Sequence, residues 1–331
     1  MPSTSREIVH DMWLTWRAAT QRALYGEAGF YLRERPSGHF RTSVSASAAF
    51  AEAVLALLRE VDAELGKPDR LDLVDIGAGE GTLVTRVLAA AEPGLSERLR
   101  VTAVDLSPRP EGLPERVEWR GGLPDAIQGL AIANEWLDNV PVDVVEQTSG
   151  GPRLVMVDVH TGEERVGGAL RPADREWLER WWPLPRVGAR AEIGRPRDEA
   201  WAAVVTRLTR GRAIAVDYAH PVDNRPLCGT LTGYRDGAVV SPIPDGTCDI
   251  TAHVALDACA EAGRRAGAIS TTLSTQRAAL RALGLTGARP PVELAHRDPR
   301  GYLRALARAS EEGELIDPAG LGGFGWLDQR R

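Results

Sequence analysis

Apolar and polar positions alternate along this chain with two different periods. Short apolar runs of strand length lie within 71–77 (LDLVDIG), 99–107 (LRVTAVDLS), 129–141 (GLAIANEWLDNVP) and 211–221 (GRAIAVDYAHP). Between them are segments with apolar residues at helical spacing, such as GTLVTRVLAAA at 81–91. Strands that alternate with helices predict a doubly wound, mainly parallel α/β sheet. Ligands of such sheets bind beyond the carboxyl ends of the strands, where polar residues follow each apolar run here.

The regions outside this alternation divide the chain further. Helical spacing predicts amphipathic helices over residues 6–25 and 45–65, the second capped by Ser45 or Ser47. Residues 142–205 contain strand-like runs joined by Gly-rich turns and then a helix, which predicts an insertion. We therefore divide the chain into an N-terminal helix and lid (1–44), a core (45–141 and 206–288), an inserted substrate subdomain (142–205) and a C-terminal extension (289–331).

Composition narrows the class of protein. The chain has 331 residues and a formal net charge of -6, so we expect no nucleic-acid partner and no general attraction to anionic membranes. Its three cysteines form no CxxC pair, which argues against a disulfide framework and a zinc site, and we predict no metal. The first residues lack a signal-peptide pattern, and the longest apolar-rich stretch is interrupted by Glu52. We therefore expect a cytoplasmic protein without membrane insertion.

A glycine-rich turn follows the first apolar run of the core. Gly77, Gly79 and Gly81 are spaced GxGxG, whereas a dinucleotide-binding turn has its third glycine one position later, at Thr82. The Gly-Lys-Ser/Thr of a phosphate-binding P-loop is also missing from this stretch. Glycines here let the backbone approach a ligand closely. The alternative is a tight turn in a sheet that binds nothing.

Carboxylates end the first two strands of the core. Asp75 precedes the turn, where it is placed to accept hydrogen bonds from an ammonium group, and Asp105 ends the next strand, where a carboxylate suits two ribose hydroxyls. Together with the turn, they fit S-adenosylmethionine better than NAD. The residues that we predict to bind this cofactor are Asp75, Gly77, Ala78, Gly79, Gly81, Thr82, Leu83, Asp105, Leu106, Ser107, Leu123 and Asn134.

The third strand tip, NEWLDNVP, carries the candidate catalytic residues Asn134, Glu135 and Asp138. We expect Asn134 to place an oxygen near the reacting methyl group. The two carboxylates are expected to bind a cationic nucleophile. In the alternative interpretation, Asn134 and Asp138 only cap the turn that follows.

Several stretches of the sequence, in their order, resemble the MidA family of S-adenosylmethionine-dependent methyltransferases. The mitochondrial member of that family is a complex I assembly factor and protein arginine methyltransferase. The resemblance implies a Rossmann-like class I methyltransferase core with an N-terminal helical lid and an inserted substrate region. The stretches cover roughly residues 24–285 and are LYGEAGFY, GHFRTS, DIGAGEGTL, NEWLDNVPVDVV, AIAVDYAH, GTLTGY and PDGTCDITAHV, followed by STQRAALRALG.

The resemblance also assigns roles to individual residues. The glycine turn and Asp105 would bind the cofactor, and the loop that ends at Pro141 would lie beside the methyl group. His253 is a candidate general base or a structural residue. The residues expected to cover the cofactor or to line the opposite, acceptor-facing wall are Tyr31, Phe40, Asp217, Tyr218, Asp249 and His253, with the rest of Asp249–Val254.

The chain departs from the family pattern at three places. Gly38-His39-Phe40 stands where the family has Gly-Asp-Phe, and Ser43-Val44 stands where it has a Pro-Glu pair. Ala219 replaces the glycine that follows the Asp-Tyr pair. The first two departures lie in the lid, so they bear on the substrate more than on the cofactor.

The implied methyl acceptor is an arginine of a protein. A guanidinium stays protonated at neutral pH and is a poor nucleophile, so it needs carboxylates to orient it. Glu135 and Asp138 are our candidates for this clamp, and Asp217 and Asp249 are second choices. The expected partner is therefore a protein substrate, and a homodimer is a further expectation.

Three other interpretations stay open. A small-molecule methyltransferase that reuses the fold is favoured by the divergent lid. A non-enzymatic assembly factor that keeps the methyltransferase fold is disfavoured by the intact turn and Asp105. An NAD-dependent oxidoreductase is disfavoured by Thr82, which stands where the third glycine belongs.

Overall fold

The structure is a computed structural model that describes residues 12–33 and 42–331. Its helices are α1 Trp16–Tyr25, α2 Phe30–Arg33, α3 Ser43–Ala46, α4 Ala48–Glu64, α5 Thr82–Ala90, α6 Pro93–Ser96, α7 Pro172–Trp181, α8 Arg195–Arg207, α9 Leu256–Arg265, α10 Gln276–Ala282, α11 Val292–Arg297 and α12 Pro299–Leu315. Its strands are β1 Trp13–Thr15, β2 Leu71–Ile76, β3 Leu99–Val104, β4 Val117–Arg120, β5 Ile127–Asn134, β6 Asp143–Thr148, β7 Gly151–Asp158, β8 Glu164–Ala169, β9 Arg190–Ile193, β10 Leu208–Asp217, β11 Thr232–Arg235, β12 Ala238–Val240, β13 Asp249–Thr251, β14 Ser270–Thr275 and β15 Gly325–Arg330.

A seven-stranded sheet forms the centre of the fold, in the order β14-β15-β10-β5-β2-β3-β4. From β10 to β4 all neighbours are parallel. β15 runs antiparallel to both β10 and β14. The strand order reverses between β2 and β5, which is the switch point where doubly wound sheets bind their ligands. The prediction of a mainly parallel α/β sheet is confirmed.

Helices cover both faces of this sheet, which explains the uninterrupted apolar runs. All six residues of β2 are buried, as expected for a parallel strand with a helical layer on each side. On one face, α4 and α5 pack through Phe50, Leu58 and Val84. On the other face, α8 and α9 pack through Trp201 and Cys259.

Two elements of the core come from parts of the chain that we assigned elsewhere. Trp201, Val204 and Val205 of α8 pack on the central sheet, although α8 lies largely within residues 142–205. β15 lies within the sheet, although it belongs to residues 289–331, which we assigned to a C-terminal extension. The division of the chain into domains stays a prediction, but the central layer draws on all of these ranges.

A second sheet is antiparallel and contains β1, β7, β6 and β9 in that order, with β8 paired to β7. The strand-like runs within 142–205 are thus confirmed as strands β6 to β9, and they pair antiparallel. α1 packs on this sheet through Trp16 and Leu24. The predicted helix over 6–25 is wrong at residues 13–15, which pair with β7 as strand β1; residues 6–11 lie outside the described residues.

The predicted helix over 45–65 is confirmed as α4. The side chain of Ser47 caps it by accepting a hydrogen bond from the Ala49 N–H at 2.9 Å. A small third sheet has the order β12-β11-β13. Among the residues that the structure describes, no helix is long and apolar enough to cross a membrane.

Candidate active site

A cavity of about 730 Å³ lies at the carboxyl ends of β2, β3 and β5, where the strand order reverses. α1, α2, the start of α3 and the loops after β3 and β4 contribute further residues to its wall. The predicted site residues found on this wall are Tyr31, Asp75, Gly77, Ala78, Gly79, Thr82, Leu83, Asp105, Leu106, Ser107, Leu123, Asn134 and Glu135. The cavity thus joins most of the predicted cofactor residues to the start of the predicted catalytic loop.

The three glycines of the turn are required by its backbone. Their φ angles are 72°, 55° and 69°, in the left-handed region that favours glycine. A Cβ at Gly77 would lie 2.8 Å from Cδ1 of Trp136, and one at Gly81 would lie 2.5 Å from Cδ1 of Leu113. A Cβ at Gly79 would meet no described atom within 4 Å, since Gly79 lies on the wall of the cavity. Gly81 lies behind the wall, where it shapes the turn.

Asp105 ties the glycine turn to the tip of β3. Its Oδ2 accepts a hydrogen bond from the Gly79 N–H at 2.8 Å. Its Oδ1 accepts bonds from the Ser107 N–H at 2.8 Å and the Ser107 hydroxyl at 2.7 Å. The carboxylate is therefore held in one orientation, and Oδ2, which accepts a single bond, keeps lone-pair capacity for a hydroxyl of a ligand.

Asp75 lies at the tip of β2 and is 4% exposed. Burial, and secondly the negative charge of Asp105, raise the pKa of the Asp75 carboxyl to about 7. A cationic group bound in the cavity next to Asp75 would stabilise its ionised form. This is the electrostatic setting that an ammonium group of a ligand requires.

Glu135 follows β5 and extends the cavity wall towards the N-terminal segment. Its φ of 51° turns the chain sharply at the strand tip. Its Oε1 accepts hydrogen bonds from the Ser43 N–H at 2.9 Å and from Nδ2 of Asn134 at 3.0 Å. Oε2 of Glu135 and Oδ1 of Asn134 are buried, and neither has a hydrogen-bond partner among the described residues. Burial is the main cause that raises the pKa of Glu135 to about 8.

Asp138 is buried behind the cavity wall rather than on it. Its Oδ2 accepts a hydrogen bond from the Thr251 hydroxyl at 2.7 Å, and its Oδ1 is buried without a partner among the described residues. Burial raises the pKa of this carboxyl. The structure therefore does not place Glu135 and Asp138 side by side on the wall as the predicted clamp.

Arg197, which the sequence analysis did not identify, holds the loop after β5 through hydrogen bonds to its backbone. It is 2% exposed, and its guanidinium donates hydrogen bonds to the backbone oxygens of Asp138 at 2.5 Å, Val140 at 3.2 Å and His253 at 2.8 Å. Burial lowers the pKa of Arg197, and the nearby carboxylates, Asp138 first, raise it. An arginine in the first turn of α8 gives no sequence signal that it is buried.

The two second-choice carboxylates have different surroundings. Asp217 is fully engaged with backbone, since its Oδ2 accepts the N–H groups of Leu137 and Asp138 at 2.9 and 3.2 Å. Asp249 accepts hydrogen bonds from the Tyr31 hydroxyl at 2.8 Å and from Nδ2 of Asn139 at 3.2 Å. Both of those donors lie on the cavity wall. Asp217 thus positions the loop, whereas Asp249 lies directly behind the wall.

Tyr218 and His253 are not brought to the cavity. Their rings stack at 5.7 Å, and Tyr218 also packs against Phe324 at 4.2 Å. The His253 side chain is partly solvent-facing, and its backbone N–H donates to the Thr230 hydroxyl. These contacts give the two residues a packing role at the edge of the site. Phe40 lies outside the described residues.

The wall also contains residues that sequence reasoning missed, among them Tyr25 and Trp136. The Tyr25 hydroxyl donates to the backbone oxygen of Asn139 at 3.1 Å, and its ring lies 5.6 Å from that of Tyr31. An aromatic residue at the end of an amphipathic helix has the sequence pattern of a buried core residue. The sequence therefore does not indicate that Tyr25 lines a cavity.

Comparisons with known proteins agree with this site. A family model of S-adenosyl-L-methionine-dependent methyltransferases matches residues 50–274. A protein from Burkholderia thailandensis, solved bound to S-adenosyl-homocysteine, is 25% identical with a TM-score of 0.79, and the alignment covers 96% of this chain and 88% of that one. A native structure from the same organism is 26% identical with a TM-score of 0.78, covering 96% and 87%.

Among curated proteins, "Protein arginine methyltransferase NDUFAF7 homolog, mitochondrial" from Drosophila melanogaster is 24% identical over 274 residues. The match covers 69% of this chain but 61% of the length of that relative. The likeness therefore leaves more than a third of the relative unmatched.

The strand order of the sheet reverses beside the glycine turn, and carboxylates lie at the tips of the two strands next to that turn. This fold and this site define a class I methyltransferase that uses S-adenosylmethionine. The chain belongs to the S-adenosyl-L-methionine-dependent methyltransferase family that matches residues 50–274, and its resemblance to the MidA proteins is confirmed.

Proposed function

We propose that this methyltransferase transfers methyl groups to an arginine side chain of a protein substrate. The observation that carries the proposal is the Glu135 side chain at the cavity wall, whose Oε2 is buried without a partner among the described residues, with the carboxyl of Asp138 near it and that of Asp249 near Asp138. Such a concentration of carboxyl groups favours a cationic acceptor over a neutral one. The relative from Drosophila melanogaster is named a protein arginine methyltransferase, which supports arginine as the acceptor.

We call the part of the cavity around the glycine turn, Asp75 and Asp105 the cofactor half, and this part fits S-adenosylmethionine. We assign the ribose hydroxyls to Asp105, the close backbone approach to Gly79 and the amino group to Asp75, whose pKa burial raises to about 7. When bound, the cofactor supplies an electrophilic methyl group on a positively charged sulfur. The protein contributes alignment and electrostatic stabilisation.

Glu135 is the residue that we place against the acceptor. Its free Oε2 would accept a hydrogen bond from the guanidinium, and Asn134 Oδ1, also unpaired among the described residues, would accept a second. The rings of Tyr25 and Tyr31 lie on the wall of the same cavity, with centroids 5.6 Å apart, and aromatic rings attract cations. Asp138 and Asp249 contribute negative charge from behind the wall rather than direct contacts.

A proton must leave the guanidinium when its nitrogen gains the methyl group. Glu135 is the group placed to accept that proton: burial raises its pKa to about 8, and the positive charge of a bound guanidinium would favour the ionised carboxylate that takes up the proton. Oε2 is then the atom that takes it, while Oε1 stays bonded to Ser43 and Asn134.

The test is to incubate the protein with methyl-labelled S-adenosylmethionine and an extract of source cells that lack its gene. Label recovered on arginine residues of protein, identified by mass spectrometry, supports the proposal. Label recovered only in small molecules would overturn it and favour the small-molecule alternative. Glu135→Gln serves as the control for background transfer.

The cytoplasmic location and the homodimer stay predictions. Fractionation of source cells and measurement of the molecular mass in solution would test them.

A further inference from the structure

Ser43 connects the candidate catalytic loop to the C-terminal half of the chain. It is completely buried, and both of its polar groups are used. Its N–H donates to Oε1 of Glu135 at 2.9 Å, and its hydroxyl donates to Oε1 of Gln276 at 3.0 Å. The position of Ser43 therefore decides whether Glu135 keeps its backbone donor.

Gln276 is itself fixed at three points. It begins α10 and is completely buried. Its side-chain Nε2 donates to the backbone oxygen of Leu315 at the end of α12, at 3.0 Å, and its own N–H donates to the backbone oxygen of Phe324 at 2.8 Å. A buried amide with both ends bonded is costly to disturb, so it holds its neighbours in one arrangement.

The geometry points to Gln276 as a positioning residue of the methyltransferase: it holds Ser43 so that the Ser43 N–H orients the Glu135 carboxyl through Oε1. Gln276 does not lie on the cavity wall, and it would act only through Ser43. Two segments far from the glycine turn, the start of α10 and the end of α12, thereby set the geometry of the acceptor side.

A backbone N–H bonded to a carboxylate favours the ionised form, so loss of the Ser43 bond would raise the pKa of Glu135 further. The other groups that face Glu135 are the Asn134 amide and the side chains of Asp138, Asp217 and Tyr218. None of these contacts involves Gln276 directly. A change in the titration of Glu135 after substitution of Gln276 would therefore report on Ser43.

The experiment measures the titration of the Glu135 carboxyl by infrared spectroscopy, as the difference between the protein and its Glu135→Gln variant. The same difference is then recorded on a Gln276→Met background. We expect the midpoint to rise by about one pH unit in Gln276→Met. An unchanged midpoint would overturn the inference.

Gln329→Met is the matched control, because Gln329 is an equally buried glutamine whose amide bonds Trp201, Ala260 and Thr271 far from Glu135. It should leave the midpoint in place, and an equal shift in both variants would contradict a specific role of Gln276. If Gln276→Met does not fold, Ser43→Ala, which removes only the hydroxyl, should shift the midpoint in the same direction.

The inference deepens the proposed function, since it assigns a residue that orients Glu135 for the acceptor. The two can fail separately. A midpoint shift without arginine methylation would leave Gln276 as a positioning residue for another acceptor. Arginine methylation without a midpoint shift would exclude Gln276 as a positioning residue and would leave the proposed function supported.

Discussion

Asp105 and Glu135 follow the strands on either side of β2, and the two carboxylates are held in opposite ways. Asp105 receives three hydrogen bonds, from Gly79 and Ser107, and both of its oxygens are engaged. Glu135 receives two on Oε1, whereas its Oε2 is buried without a partner among the described residues. Described neighbours thus orient the Asp105 carboxylate through both oxygens, whereas they orient the Glu135 carboxyl through Oε1 alone.

This difference shows how the two parts of the cavity are built: the cofactor half, and the part around Glu135, which we call the acceptor half. The donors to Asp105 lie at most 26 residues away along the chain, so a local motif can form that half. Ser43, a donor to Glu135, is 92 residues away, and Tyr31 is 218 residues from Asp249. The acceptor half therefore depends on the fold as a whole, and its buried carboxyls are the polar groups for which a cationic ligand would compensate.

The largest effect is expected for Glu135→Gln. The variant keeps the size of the side chain but can neither carry the negative charge nor take the proton, so kcat should fall by about 1,000-fold. The Kd for S-adenosylmethionine should stay within about twofold, because Glu135 lies on the acceptor side. Turnover of labelled S-adenosylmethionine and calorimetric titration measure the two quantities; full activity would exclude Glu135 from the proposed role.

Asp105→Ala should affect the other half. Removal of the charged acceptor for ribose also frees the Gly79 N–H, so we expect affinity for S-adenosylmethionine to fall by about 100-fold. Calorimetry against S-adenosylmethionine, with NAD as the negative control, measures this.

Asp158→Ala is the matched control for that variant, since Asp158 holds a turn of the antiparallel sheet through the N–H groups of His160 and Thr161. It should bind S-adenosylmethionine like the wild type. Equal losses in the two aspartate variants would mean that the Asp105 effect is one of general stability.

The cofactor half was predictable from the sequence because its signals are local. The GxGxG spacing, the apolar run before it and the carboxylate after the next run all lie between Leu71 and Asp105. The structure places Asp75, Gly79 and Asp105 on one wall, as the strand-tip rule for parallel sheets requires.

Most of the acceptor half was not predictable in this way. Arg197 lies in a helix whose other charged residues resemble a solvent-facing surface, and only the tertiary fold buries it. Tyr25 has the spacing of a core residue on α1. The strand-tip pattern pointed to Asp138 and the family resemblance to Asp249, but the position of both residues behind the wall depends on β13 packing beside the loop.

The same concentration of carboxyls predicts a pH dependence of stability. Burial raises the pKa of Glu135 to about 8, so the folded protein holds a proton that the unfolded chain releases above its ordinary pKa near 4.5. This contribution is fully present below that ordinary value and is lost as pH rises to 8. Relative to wild type, Glu135→Gln should therefore gain about 3 to 4 kcal/mol in the free energy of unfolding as the pH is raised from 5 to 8.

Urea unfolding at the two pH values measures this gain. Glu261→Gln is the control of opposite sign, because hydrogen bonding with Arg264 lowers the pKa of Glu261. Loss of that ionised carboxylate should bring no gain at pH 8. A Glu135→Gln variant with the same pH dependence as wild type would show that the pKa of Glu135 is not raised in the folded protein.

The smallest effects are expected for Gly79→Ala. They distinguish the backbone strain of alanine at a positive φ from the steric exclusion of a ligand by the added methyl group. Gly79 and Gly188 both have positive φ, 55° and 81°, and a Cβ on either would meet no described atom within 4 Å. Alanine at either position should therefore cost about 1 kcal/mol of stability through backbone strain alone. Only at Gly79 does the added methyl enter the cavity, so only Gly79→Ala should weaken S-adenosylmethionine binding, by about tenfold. Equal affinities in the two variants would mean that the ligand does not approach the turn closely, and the cofactor half would then owe its selectivity to Asp105 rather than to the glycines.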